Sequence, residues 1–148
     1  MSKIIDKNFI HFKTDVLIIE YVFTTLVTGN TIQDTYSSIT FRCRKAPTED
    51  NPLVGPLIAS LKKTWTSAES NGITIHDFED VLNPNTPEAV SIIKSNICAK
   101  VAIEPEDTES LDVGIYIYQL EVKDLDNRPF IVATGEMDLR EVYNAARL

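Results

Sequence analysis

Residues 111–139 constrain the fold most. Tyr116, Tyr118, Leu120 and Val122 alternate with Gln119, Glu121 and Lys123, which is the period-two pattern of a strand with one buried face. Residues 124–129, Asp-Leu-Asp-Asn-Arg-Pro, are turn formers, and a second apolar run begins at Phe130. The unit reads as a β-hairpin.

The entry to that hairpin is more specific. Asp112, Gly114 and Tyr116 form an Asp-x-Gly-x-Tyr corner. Gly114 can take a backbone angle that a side chain would forbid as the chain swings onto the strand. The Tyr116 hydroxyl can then bond back to backbone a few residues upstream, which is the logic of the tyrosine corner in immunoglobulin-like sandwiches. The residue two places on is usually cysteine there and is Tyr118 here, so no inter-sheet disulfide is expected. The plainer alternative is an ordinary hairpin carrying two tyrosines.

At 148 residues the chain fits one domain, residues 1–148, and is long enough to bury most of its apolar surface without staples. Its net charge of −8 argues against phosphate-backbone binding and against an anionic membrane surface, so neither nucleic acid nor membrane is an expected partner. Residues 1–8 show no apolar signal core, and the aliphatic run 16–19 is too short to span a bilayer. Synthesis in the cytoplasm is expected. Cys43 shares a face with Ile39 and Phe41, whereas Cys98 shares a face with Lys100. That parity predicts two free thiols, one in the core and one outside it.

In chain order, residues 3–12 carry Phe9, Ile10 and Phe12 and read as a short edge strand or an arm. Residues 15–26 are dense in β-branched and aromatic side chains and read as a central strand covered on both faces. Gly29-Asn30 is a turn, and residues 37–44 are a strand with Ile39, Phe41 and Cys43 inward. Residues 46–56 hold three prolines and form a loop. Residues 57–65 fit both a helical face and a strand, with the all-β surroundings favouring the strand. Asn71-Gly72 is a turn before a strand at 73–76, and 77–85 is acidic loop. Thr86, Pro87 and Glu88 resemble a helix start, so a short inserted helix is predicted to about residue 96. A strand at 97–103 and an acidic turn at 104–109 follow. Asp138 and Glu141 resemble a capping box opening a final helix, with Leu139, Val142 and Tyr143 as its apolar stripe. That helix packs either on its own sandwich or on a neighbour.

The sequence offers little chemistry. His11 and His76 are the two histidines, and a solvent-facing or satisfied role outweighs a metal or acid–base one for His76. Zinc spacings, a nucleophile elbow and a phosphate loop are not seen. Asp124, Asp126 and Asn127 mimic a calcium loop without its glycine, and Gly135 stands where the closing glutamate belongs. Glu104, Glu106, Asp107 and Glu109 read as a solvated turn. No catalytic residue, cofactor or metal is expected.

Several stretches, taken in order, resemble the immunoglobulin-like domain of phage baseplate upper proteins. They are the apolar strand at 16–30, Thr-Phe-Arg-Cys-Arg at 40–44, Asn-Gly-Ile-Thr-Ile at 71–75, and residues 102–122 with their Gly-x-Tyr-x-Tyr, continuing to a closing strand at Gly135. The stretches 46–56, 77–96 and the end depart from the pattern. The resemblance implies an all-β, immunoglobulin-like antiparallel sandwich of about seven strands. It implies a virion structural protein that docks or connects in tail, baseplate, neck or head fibre, bound to other virion proteins and to copies of itself. Candidate interface residues are Phe9, Phe12, Leu139, Val142 and Tyr143, from the apolar chain ends. A carbohydrate-binding or adhesion module is the alternative, although Trp65 is the single tryptophan. A small enzyme on a sandwich scaffold is the third reading.

Overall fold

The computed structural model describes residues 4–27, 36–79 and 93–141. Ten strands, named in chain order, account for most of them: β1 (Ile5–Asp6), β2 (Phe9–Phe12), β3 (Leu17–Val27), β4 (Tyr36–Lys45), β5 (Lys63–Thr66), β6 (Ser70–Asn71), β7 (Ile73–Glu79), β8 (Ile93–Ile103), β9 (Gly114–Asp124) and β10 (Pro129–Arg140). The larger sheet runs β1-β10-β9-β4-β5-β6, with β2 also on β10, and the smaller runs β3-β8-β7. The fold is an all-β sandwich. Its core takes Ile19 and Tyr21 from β3, Ile39, Phe41 and Cys43 from β4, Tyr118, Leu120 and Val122 from β9, and Ala99, Val101 and Ile103 from β8. The Tyr21 and Tyr118 rings meet across the two sheets at 5.9 Å.

The hairpin forms where the alternation predicts it. Tyr116, Tyr118, Leu120 and Val122 are buried, and β9 pairs antiparallel with both β10 and β4. Asn127 takes φ 62° in the connecting loop, a conformation Asn tolerates better than most residues. The Asp124 carboxylate accepts hydrogen bonds from the Asp126 and Arg128 amides, each at 2.9 Å, and from Arg128 Nε at 2.8 Å. Those donors hold it below the usual carboxylate range, and they use it as a turn clamp rather than a calcium ligand.

Several expectations are corrected. The sandwich is not wholly antiparallel, because β1 and β2 run parallel to β10. The predicted final helix does not start at Asp138. Asp138 lies in β10 between Ile10 and Ile115, and ladder pairing on both sides outweighs a capping signal. The predicted inserted helix falls mainly on residues 80–92, outside the described residues, but 93–96 are strand β8 rather than helix. The rest of the final helix, with Val142 and Tyr143, also lies outside them, as does the Gly29-Asn30 turn.

β3 is an edge strand of its sheet and not a central one. Its outward Ile18 and Val22 are 59% and 52% exposed. Residues 77–79 extend β7 instead of joining an acidic loop, because they pair with β8. Residues 57–65 are neither one strand nor one helix: a bridge at Leu57 and a 3-10 turn at Ala59–Leu61 precede β5. The acidic turn 104–109 contains a one-turn helix, α1 (Pro105–Thr108), with Glu104 and Asp107 in a reciprocal capping box. The Lys63 ammonium meets Asp107 at 2.6 Å, which ties α1 to β5.

Candidate functional site

The corner at the start of β9 is built by local geometry. Gly114 sits at φ 139°, a region that L side chains rarely adopt. Two residues on, the Tyr116 hydroxyl donates to the Asp112 carbonyl at 2.7 Å, four residues upstream. Lys45 Nζ lies 4.6 Å from the centre of the Tyr116 ring and donates to the Val113 carbonyl at 3.1 Å. Burial pushes the Tyr116 hydroxyl pKa up, so it stays a neutral donor. Asp112, Gly114 and Tyr116 are thus brought together as a structural clasp.

The candidate interface residues separate. Leu139 is not on a free helix face: it is 1% exposed in β10, inside the core. Phe9 is half-buried, its ring 5.6 Å from Tyr118. Phe12 is 42% exposed at the end of β2. The N-terminal segment is held tightly, with Lys7 N donating to the Thr134 carbonyl at 3.1 Å and the Tyr118 hydroxyl donating to the Lys7 carbonyl. His11 on β2 is buried, and its Nε2 has no hydrogen-bond partner among the described residues. Desolvation holds its pKa below the ordinary imidazole value, against the opposing pull of Asp15.

Cys43 and Cys98 are both free. Cys43 is in the core, where burial pushes its thiol up to about 12. Cys98 is on the opposite face from Ile97 and Ala99, as strand parity predicts, yet it is as little as 3% exposed. It lies on β8, the middle strand of the three-stranded sheet. His76 lies in register with Cys98 on β7.

Two of the open surfaces stand out among the described residues. The outward face of β3 carries Val16, just before the strand, then Ile18 and Val22, each more than half exposed. A groove of about 530 Å³ runs beside them between Lys7, Phe9, Leu17 and Ile18, and Lys7 Nζ reaches across to the Glu20 carbonyl at 3.2 Å. On the larger sheet, a cavity of about 440 Å³ is bordered by Arg42, Arg44 and Lys62 with Leu57 and Ile117. The alternation that turns Ile39, Phe41 and Cys43 inward leaves Arg42 and Arg44 outward, but only strand register brings Ile117 and Gln119 beside them. Among the described residues no group of three or more His, Cys, Asp or Glu side chains is placed to hold a metal ion. Among the same residues no helix is long and apolar enough to cross a membrane.

No protein-family model matches the chain. No curated protein matches its sequence. Among solved structures, the chain is similar to a family 123 glycoside hydrolase from Clostridium perfringens, at 12% identity and a TM-score of 0.40. The alignment covers 93% of this chain and 23% of that enzyme's length, a likeness too distant to carry an activity across.

Proposed function

We propose that this protein is a phage virion structural protein, a docking or connector module that works by binding a neighbouring subunit of the particle. The observation that carries the reading is the apolar row Val16, Ile18 and Val22 on the outward face of an edge strand. Aliphatic side chains in a row on a wet sheet face are costly to leave in water and are the usual substance of a protein contact. Among the described residues β3 is paired on one side only, with β8, so its other edge offers backbone groups for strand addition alongside that face. Lys7 covers one carbonyl of this edge, which blunts uncontrolled pairing while leaving the flanking positions open. The sequence resemblance to baseplate immunoglobulin-like domains points to the same kind of work.

The partner in this reading is another virion protein or a further copy of this chain, seated on β3. The test is a variant with Ile18→Lys and Val22→Lys, introduced into the phage genome. Both side chains already face water, so the isolated variant should melt within a few degrees of the wild type. Particles made with it should lack the protein or fail to assemble. Wild-type protein absent from purified particles, or normal incorporation of the double variant, would refute the proposal.

A further inference from the structure

We infer that the basic cavity on the outward face of the larger sheet is a binding site for a short acidic and aliphatic segment of a partner polypeptide. It lies on the sheet opposite β3 and does not depend on the assembly reading above. Arg42 and Arg44 project from alternate positions of β4, where Ile39, Phe41 and Cys43 take the inward ones. Gln119 and Ile117 stand beside them on β9, in register with Arg42 and Arg44 respectively. Leu57 bridges to Arg44 from the other side, and Lys62 follows the 3-10 turn.

The charges at this cavity are unevenly matched. Arg42 is partnered by Glu121 at 3.3 Å. Arg44 donates one bond, from Nη1 to the Gly55 carbonyl at 3.2 Å, and meets no carboxylate among the described residues. The Lys62 ammonium makes no hydrogen bond or ion pair with them. In a chain of net charge −8, two unneutralised cations flanking one concavity mark a local reversal of the field. A guanidinium with one edge already fixed has its other donors aimed and ready for a carboxylate.

The chemistry beside the cations selects among anions. Leu57 is 45% exposed, and Leu53 and Val54 on the same loop are 75% and 50% exposed. Ile117 forms the apolar floor next to Arg44. A bare inorganic anion would leave these surfaces wet. A long nucleic acid would be repelled by the overall negative charge. A peptide alternating carboxylates with aliphatic side chains satisfies both halves of the site, with carboxylates on Arg44 and Lys62 and aliphatic groups on Leu57 and Ile117.

The experiment is an amide chemical-shift titration of the full chain with a blocked Leu-Glu-Leu-Glu-Leu peptide. The glutamine-for-glutamate peptide and sodium acetate serve as comparisons. Expected are shifts at Arg44, Ile117 and Gln119 that saturate with the acidic peptide and weaken at high salt. Affinity should fall at least tenfold in Lys62→Glu, a change at an exposed side chain that should leave the melting temperature unaltered. Arg44→Ala should add a further loss. The inference is overturned if the glutamine peptide binds equally well, or if acetate saturates the same residues at the same concentration. It is also overturned if Lys62→Glu binds normally, or if the acidic peptide produces no shifts at these residues at millimolar concentration.

Discussion

Gly135 is the residue whose replacement should report most directly on how the N-terminal segment is held. It lies in the extended backbone of β10, so alanine fits the local conformation. The obstacle is the neighbour. A Cβ built on Gly135 would lie 2.8 Å from the Lys7 carbonyl carbon and 3.0 Å from Tyr118 Cε2, with the Lys7 carbonyl oxygen closer still. Ordinary contacts between carbon atoms are about 3.5–4.0 Å, so Lys7 must retreat by roughly 1 Å. That retreat breaks the bond from the Tyr118 hydroxyl to the Lys7 carbonyl and strains the one from Lys7 N to the Thr134 carbonyl. It also pulls on the bond from Glu136 N to Asn8 Oδ1, now 2.9 Å. An unsatisfied buried hydroxyl costs about 1–3 kcal/mol and each weakened bond up to about 1 kcal/mol, so Gly135→Ala should destabilise by about 3 kcal/mol.

The assay is urea denaturation of four proteins: wild type, Gly135→Ala, a form lacking residues 1–8, and the combination. With Lys7 and Asn8 absent, alanine meets only the edge of the Tyr118 ring, Cε2 at 3.0 Å, which is freer to shift once its hydroxyl has lost the Lys7 carbonyl. It should then cost less than about 0.5 kcal/mol, and the gain from reduced backbone freedom could offset even that. The coupling between the two changes should therefore be more than about 2 kcal/mol. Equal costs of Gly135→Ala in the full and shortened chains would refute the reasoning. So would a full-length Gly135→Ala protein as stable as wild type.

Two more predictions bear on neighbouring sites. Tyr116→Phe keeps the ring beneath Lys45 and removes only the bond to Asp112, so it should lower stability by about 1 kcal/mol, read as a lower urea midpoint at constant slope. An unchanged midpoint would dismiss the corner as a stabilising device. His11 has a folded-state pKa lowered by burial, so the unfolded chain takes up the proton first. Its contribution to stability is fully present above the unfolded value of about 6.5 and is lost as pH falls below it towards the folded pKa, by at most about 1.4 kcal/mol per pH unit. His11→Leu should flatten the stability profile between pH 5 and 7, and an identical slope in the variant would rule His11 out as its source.

What was legible in the sequence was what neighbouring residues decide among themselves. The alternation through Tyr116 and Val122, the turn chemistry around Asn127, and the inward set Ile39, Phe41 and Cys43 need no distant partner to be read. Helix α1 was partly legible. Pro105 at the first helical position and Asp107 two residues on were visible, but Glu104 is not a usual N-cap, and the stretch therefore reads as a turn. The basic cavity was hidden for a different reason. Its cations come from β4 and from the turn before β5, and its apolar floor from β9, more than seventy positions away along the chain from Arg44 to Ile117. Only register joins them.

The misreading at Asp138 has one physical cause, which is that β10 is paired on both of its edges. One edge takes β9 and the other takes β1 and β2. A strand with neighbours on both sides satisfies its backbone amides and carbonyls without a helix, so the capping signal at Asp138 has no unmet need to serve. The same pairing makes the N-terminal residues an edge strand rather than an arm, with Phe9 against Tyr118 and His11 buried. Phe9 and Leu139 are therefore engaged in internal packing, while Ile10 and Phe12 on β2 stay 50% and 42% exposed. An assembly surface argued from loose apolar termini loses Leu139 and much of Phe9, and keeps Phe12. Among the aliphatic side chains that internal packing leaves uncovered are Val16, Ile18 and Val22, on a strand that pairs along one edge only among the described residues. The lysine substitutions at Ile18 and Val22 are therefore aimed at β3, and the Gly135 experiment asks how firmly the N-terminal strand is fixed to β10.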